Sequence, residues 1–179
     1  MSDSDSAALN TVNVNQKVNI RALKLWEIPK LLKFRSMYDY TATAESGGYQ
    51  ESVLYILLKA LWFGDRMMTL IAERNGEIVG YVSAAFGKHA KFRGNVYIVS
   101  AAVSSVERGK GIGTQLFNEV ERYASSRGTR RIELEVFAQN TGALNLYKRL
   151  GYEIEGMKRR AVESGGKYDD LIFMAKLLK

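Results

Sequence analysis

Val96-Tyr-Ile-Val-Ser-Ala-Ala-Val103, then Arg108-Gly-Lys-Gly-Ile-Gly113, then Thr114-Gln-Leu-Phe-Asn-Glu-Val-Glu-Arg-Tyr123 are the runs on which the fold turns. They read in order as a buried strand, a tight glycine loop and an amphipathic helix. Glycines at alternate positions let successive backbone N–H groups turn toward one point, because no Cβ stands in the way. The helix begins just beyond them, so its N-terminal partial positive charge faces the same point. Such a nest of amides is an anion cradle suited to a phosphate or pyrophosphate.

Spacing separates the possible guests. A Walker-type loop requires Gly-Lys followed by Ser or Thr, and Lys110 is followed by Gly111. A dinucleotide-binding fingerprint places its third glycine three positions after the second, with an acidic residue about 20 residues on. Here Gly113 comes two positions after Gly111. The pattern that fits is Arg or Gln, two residues, Gly, one residue, Gly or Ala, met by Arg108, Gly111 and Gly113. It resembles the acetyl-coenzyme A loop of the GNAT N-acetyltransferases, against the simpler reading of a plain strand-to-helix turn.

The downstream sequence carries a second resemblance. Ile132-Glu-Leu-Glu-Val-Phe137 alternates apolar and polar side chains, a strand signal. In Asn140-Thr-Gly-Ala143-Leu-Asn-Leu-Tyr147-Lys-Arg-Leu-Gly151-Tyr152, Asn140 is a good N-cap and Gly151 fits the C′ position. Ala143, Leu144, Leu146, Tyr147 and Leu150 share a face at helical spacing. The string is similar to the GNAT signature Asn-x-x-Ala-x-x-Leu-Tyr-x-x-x-Gly followed by Phe or Tyr. With both motifs in the family's order, the resemblance spans about residues 67–177.

The resemblance implies an α/β fold, the acyl-coenzyme A N-acyltransferase fold, with a mixed sheet and helices on both faces in the order β-α-α-β-β-β-α-β-α-β-β. It implies acetyl-coenzyme A as cosubstrate, no metal, and direct attack of a primary amine on the thioester. Carried onto this sequence, Ala102 and Val103 would bond the pantetheine, and the Val103 N–H would face the developing oxyanion. The amides of Gly109, Lys110, Gly111, Ile112, Gly113 and Thr114 would hold the pyrophosphate, with a charge-assisted contact from Arg108. Asn140 would touch the pantetheine arm. Tyr147 stands at the position of the family's usual general acid, although the helix periodicity alone reads it as core packing.

Acetyl transfer needs a neutral amine, yet a lysine-like amine has a pKa of about 10 and a protein α-amine one of about 8. A base, or a water relay to one, is therefore expected. Many family members carry a carboxylate on the strand before the glycine loop, near Ile98, and this chain has none there. Glu135 matches a Leu-Glu-Val motif of the ribosomal-protein-type N-terminal acetyltransferases, whose glutamate serves as base. Glu133 shares its face by strand alternation, and two solvated carboxylates are the competing reading. Ser100 or Tyr97 relaying a water is the fallback. A non-catalytic acyl-coenzyme A sensor of the same fold is the alternative function, favoured by the missing carboxylate and opposed by the intact Tyr147.

Cues to the acceptor conflict. Glu135 with Tyr147 favours a protein N-terminal amine, but relatives of that kind carry paired tyrosines where Arg160-Ala161 stands. Gly166-Lys-Tyr168-Asp-Asp170-Leu-Ile-Phe-Met174 looks more like members acting on small amines or ribosomal-protein termini. The expectation is a primary amine on a protein or a small molecule.

Composition agrees. At 179 residues the chain fits one domain over 17–179, after a Ser- and Asp-rich tail over 1–16 read as disordered. With no cysteine there is no disulfide framework or thiolate metal site. No apolar run reaches the ~18 residues of a membrane span, and the start is no signal sequence, so a cytoplasmic protein without a membrane partner is expected. The net charge of +7 is scattered, with small clusters at Arg130-Arg131 and Lys158-Arg159-Arg160, so no specific nucleic-acid partner is expected.

Further elements follow from pattern. A strand is expected over Val18–Leu25, a helix from Glu27 to about Tyr40, and an apolar helix from Glu51 to about Phe63 with Val53, Leu54, Leu57, Leu58 and Leu61 in the core. The resemblance implies that the segment Tyr38–Tyr49 lines the acceptor pocket, and His89 is expected to be a solvated loop residue. A hairpin turns at Asn75-Gly76. The last strand, after Gly165-Gly166, is expected to present an open edge and favour a homodimer.

Overall fold

The computed structural model describes residues 17–38, 67–87, 94–164 and 166–179. The tail over 1–16, the expected helix from Glu51 to Phe63 with its apolar stripe, the stretch 39–49 and His89 lie outside the described residues. The elements run β1 (Asn19–Ala22), α1 (Ile28–Tyr38), β2 (Met67–Arg74), β3 (Glu77–Phe86) and β4 (Asn95–Val103), followed by α2 (Ile112–Ser126), β5 (Arg131–Phe137), α3 (Thr141–Arg149), β6 (Glu153–Ser164) and β7 (Lys167–Leu177). Seven strands form one sheet in the order β1-β2-β3-β4-β5-β7-β6.

Every neighbouring pair is antiparallel except β4 and β5. The connection explains the exception: α2 carries the chain back to the starting end, so β5 enters beside β4 in the same direction. The hairpin between β2 and β3 closes through Asn75 and Gly76, at φ 54° and 76°. Two left-handed residues in succession are what a two-residue hairpin of this hand requires. The helix expected from Glu27 begins at Ile28 after a short 3-10 turn over Leu25–Glu27, and Pro29 sits in its first turn, where no helical hydrogen bond is lost.

The sheet buries both faces. On one side Ile112, Leu116, Phe117, Val120 and Ala124 of α2 meet Leu70, Val82, Val96, Ile132, Leu134 and Met174. On the other, Leu31 and Phe34 of α1 cover Ile71, Ile78 and Tyr81 in a smaller cluster. Consecutive residues Leu70 and Ile71 feed opposite clusters, as strand alternation demands. The expected open edge on the last strand is corrected here. β7 lies between β5 and β6, bonded on both sides, and the edge strand is β6. The chain reverses after β6 and inserts β7 against β5, in register from Arg131 opposite Leu177 to Phe137 opposite Leu171.

Candidate active site

The parallel pair opens partway along. β4 and β5 are in register from Asn95 opposite Arg131 to Ile98 opposite Leu134, and no further. Beyond that point β4 stays with β3, and β5 stays with β7 through Glu135, Val136 and Phe137. A wedge-shaped gap between two parallel strands therefore leads to the glycine loop. It is accompanied by a β-bulge, because β4 slips by one residue against β3 between Ser100, opposite Ser83, and Ile98, opposite Ala84. Val99 is the extra residue, and it changes which groups face the gap.

Beyond the bulge, the Ser104 N–H donates to the Val79 carbonyl at 2.9 Å. Antiparallel bonding alternates, so Ala102 also turns its backbone toward β3, opposite Tyr81, while Ala101 and Val103 turn theirs toward the gap. Of the two residues expected to present backbone to a ligand, Val103 faces the opening and Ala102 does not. Ala101 is the residue sequence reasoning missed. Its signal was the switch from Val96 and Ile98 to Ala101 and Val103 as the positions joining the main core, a step of three where an unbroken strand steps by two.

Each glycine of the loop has its own reason. Gly109 and Gly111 lie at φ 76° and 78°, with open space where a Cβ would point. Gly113 is different: a Cβ there would sit 2.9 Å from Leu146 Cδ2 on α3, so this glycine sets the approach of two helices. The first helical bond of this end runs from the Gln115 N–H to the Gly111 carbonyl at 3.0 Å. The amides of residues 109–114 thus have no backbone acceptor among the described residues, the condition under which a helix N-terminus takes an anion. Arg108 ties the loop to the strand end, its Nε donating to the Val103 carbonyl at 3.2 Å. Glu107, the one carboxylate of the loop, is paired with Arg74 at 2.6 Å and with Lys110 at 3.2 Å.

α3 begins as expected, with the Ala143 N–H donating to Asn140 Oδ1 at 3.1 Å. That bond occupies the Asn140 oxygen and leaves its NH2 group as the end available to a ligand. Tyr147 is 8% exposed, its ring packed 5.2 Å from that of Phe117 and 5.9 Å from that of Tyr152. Both readings of Tyr147 thus share one geometry, in which the ring is core and the hydroxyl is its polar tip. Neighbouring Tyr152 is buried, and burial first, then Glu121 and Tyr147, push its phenol far up, so it stays protonated.

Glu135 projects from the other face of the sheet. Ile132, Leu134 and Val136 of β5 point into the main core, so Glu133 and Glu135 point away from it. Tyr97 stands on that face, opposite Glu133 in the register. Burial first, then the charges of Glu135 and Glu133, push the Tyr97 phenol up. Glu133 is ion-paired with Arg131 at 2.9 Å. Glu135 and Tyr147 therefore lie on opposite sides of the sheet. A base on one side, an acid on the other and an oxyanion donor at the Val103 N–H would suit acyl transfer through the gap. Among the described residues no group of three or more metal-ligating side chains occurs, and no helix is long and apolar enough to cross a membrane.

Comparisons with known proteins point the same way. Residues 34–152 match the acetyltransferase (GNAT) family. An L-methionine sulfoximine/L-methionine sulfone acetyltransferase of Pseudomonas aeruginosa is 26% identical over 163 residues, covering 87% of this chain and 92% of the relative. The crystal structure of a ribosomal-protein-alanine N-acetyltransferase from Brucella melitensis is 27% identical with a TM-score of 0.71, covering 89% of this chain and 99% of that one. A phosphinothricin acetyltransferase from Sinorhizobium meliloti, solved in complex with acetyl-coenzyme A, shares the fold at 20% identity and a TM-score of 0.74, covering 91% and 89%.

Proposed function

The chain belongs to the GNAT acetyltransferase family, and from that premise we propose that it transfers an acetyl group from acetyl-coenzyme A to a primary amine. The observation that carries this reading is the gap between β4 and β5 opening onto six consecutive amides, residues 109–114, that lack a backbone acceptor at the head of α2. Open space at the Cβ positions of Gly109 and Gly111 allows a bulky anion to approach that backbone. In this reading the amides of Gly109 to Thr114 hold the pyrophosphate, with Arg108 and Lys110 beside them. Ala101 and Val103 offer backbone to the pantetheine, and Asn140 offers its NH2.

Glu135 takes the proton from the acceptor amine as its nitrogen bonds to the acetyl carbon. The Val103 N–H donates to the oxyanion, and Tyr147 gives its proton to the departing sulfur as the C–S bond breaks. An amino-acid-like small amine is one acceptor class, as the name of the Pseudomonas relative indicates for that protein. A peptide N-terminus is the other, as the name of the Brucella structure indicates for its own. In this reading the protein acts in the cytoplasm, without a membrane partner.

The test combines binding with turnover. At 100 times its dissociation constant, acetyl-coenzyme A stabilises the protein by about 2.7 kcal/mol, read as a raised Tm. Gly111→Val, forced to φ 78°, removes that shift while the ligand-free protein still unfolds cooperatively. Equal stabilisation of both proteins overturns the loop assignment. A panel of peptides, amino acids and polyamines, read by release of coenzyme A thiol, then separates an enzyme from a sensor that binds without turnover.

A further inference from the structure

Two carboxylates share one face of β5, and the structure treats them differently. Glu133 and Glu135 are separated by one strand repeat, about 7 Å. Arg131, one repeat earlier on the same face, donates from Nε to Glu133 Oε2 at 2.9 Å. Its Nη1 donates to Glu155 Oε1 at 2.7 Å, and its Nη2 binds the other oxygen of Glu155. Glu155 is the extra residue of the β6 bulge between Ile154 and Gly156, so the anchor is fixed by the backbone of the edge strand. The guanidinium spans β7 to join β5 to β6. Glu135 has no ion pair among the described residues.

We propose that Arg131 is a positioning residue that sorts the two carboxylates: by committing Glu133 to a bridge anchored on Glu155, it leaves Glu135 as the group that takes the proton. The proposal rests on the reading of Glu135 as the base. Two free carboxylates about 7 Å apart would repel, so the charge on each would bear on proton uptake by the other. Holding one beside a guanidinium opposes its field at the other.

Among the described residues, the rest of the surroundings leave Arg131 as the means of doing this. From β4, Tyr97 faces the pair as a neutral phenol, pushed up by burial and by both charges. From β7, Leu171, Phe173 and Ala175 are the cross-strand partners on this face and carry no charge. Asp169, farther along β7, takes the Gln139 and Asp170 N–H groups. From β6, Glu153 stands opposite Ala175, and Lys158 places Nζ 4.5 Å over the Phe173 ring. From α1, Arg35 stacks over Tyr81 on β3, two strands away. Hydrogen bonds to Glu155 and then Glu133 hold the Arg131 guanidinium protonated, and Arg131 holds the Glu155 carboxyl below its usual range.

The full-length protein, labelled with 13C at the glutamate side-chain carboxyls, reports the effect without an acceptor. The Glu135 resonance is identified by its loss in E135Q. In R131M, Glu133 becomes an uncompensated charge about 7 Å away. The Glu135 titration then moves up by roughly 0.4 to 1.7 pH units, the span between a water-like and a protein-surface dielectric. R131K, which keeps the charge, reverses most of that shift. R131M/E133Q, which removes both partners and so guards against simple misfolding, returns Glu135 close to wild type. An unmoved Glu135 resonance in folded R131M overturns the proposal.

The acid limb of kcat/KM, followed with whichever panel amine wild type turns over fastest, is the second readout. It moves with the resonance if Glu135 is the base. A shifted resonance with a fixed acid limb refutes the base reading, and the catalytic role of Arg131 falls with it. A resonance fixed while E135Q loses turnover refutes the sorting alone.

Discussion

Replacing Gly113 by alanine tests whether the third glycine of the loop exists for the anion or for helix packing. An added Cβ sits 2.9 Å from Leu146 Cδ2, well inside the ~3.5–4.0 Å of a normal carbon contact. Leu146 must leave its rotamer or α3 must shift, and overpacking of this kind costs about 1–3 kcal/mol. Against this, alanine is favoured over glycine in a helix by up to about 1 kcal/mol. Gly113→Ala is therefore expected to lie between neutral and about 2 kcal/mol destabilising. In a Leu146→Ala background the clash disappears, and Gly113→Ala then stabilises by up to about 1 kcal/mol. The coupling between the two sites should be about 1–3 kcal/mol, measured by urea unfolding of the four ligand-free proteins at unchanged m-value. Gly111→Ala supplies the internal control. Nothing lies within 4 Å of its Cβ, so its cost of about 1–2 kcal/mol is backbone strain and should add to that of Leu146→Ala. Additivity within about 0.5 kcal/mol for the Gly113 pair would refute the packing role.

Two further outcomes follow from the same geometry. Tyr147→Phe keeps the ring against Phe117 and Tyr152, so Tm and acetyl-coenzyme A affinity should hold while kcat falls by ~10²–10⁴-fold; equal loss of affinity and turnover would make Tyr147 a packing residue only. The Glu27 carboxyl is lowered to about 2, chiefly by its hydrogen bond to Arg21, which also bridges to Glu73. A lowered folded-state pKa contributes stability above pH ~4.5 that is lost as pH falls toward ~2. Discounted for solvent screening, this amounts to about 1 kcal/mol, and Glu27→Gln should flatten that part of the stability–pH curve; an unchanged slope in acid denaturation would count against it.

What the sequence made legible was whatever local chemistry determines. Asn75-Gly76 can close a hairpin with two left-handed residues, and does. Asn140 can cap a helix, and its oxygen does so at 3.1 Å. The β4–loop–α2 unit was readable because apolar runs, glycines and helical spacing all lie within one continuous stretch. Sheet order was less accessible, since pairing β7 rather than β6 with β5 is decided by contacts distant in sequence, and the expected open edge fell on the wrong strand. The Arg131–Glu155 bridge was equally hidden, because it joins two strands that do not touch in the sheet.

The bulge at Val99 shows why a motif match locates a site before it assigns its atoms. Alternation read from Val96 and Ile98 would send Ser100 and Ala102 into the main core. One extra residue sends Ala101 and Val103 there instead, and Ala102 to the α1 side. The same residue lets the gap-facing backbone of β4 arrive at Ala101 and Val103 where β5 has parted from it. Deleting Val99 would restore regular pairing with Ala101 and Val103 still at the gap, whereas an unbroken register that kept Val99 would bring Ala102 there instead and move Ser100 away from Tyr81, whose hydroxyl it meets. The irregularity is thus part of how the strand presents unpaired backbone beside a loop of unpaired amides. Burying such groups without partners would cost several kcal/mol in a closed sheet, so a site that leaves them open is stable only facing water or a ligand that bonds them.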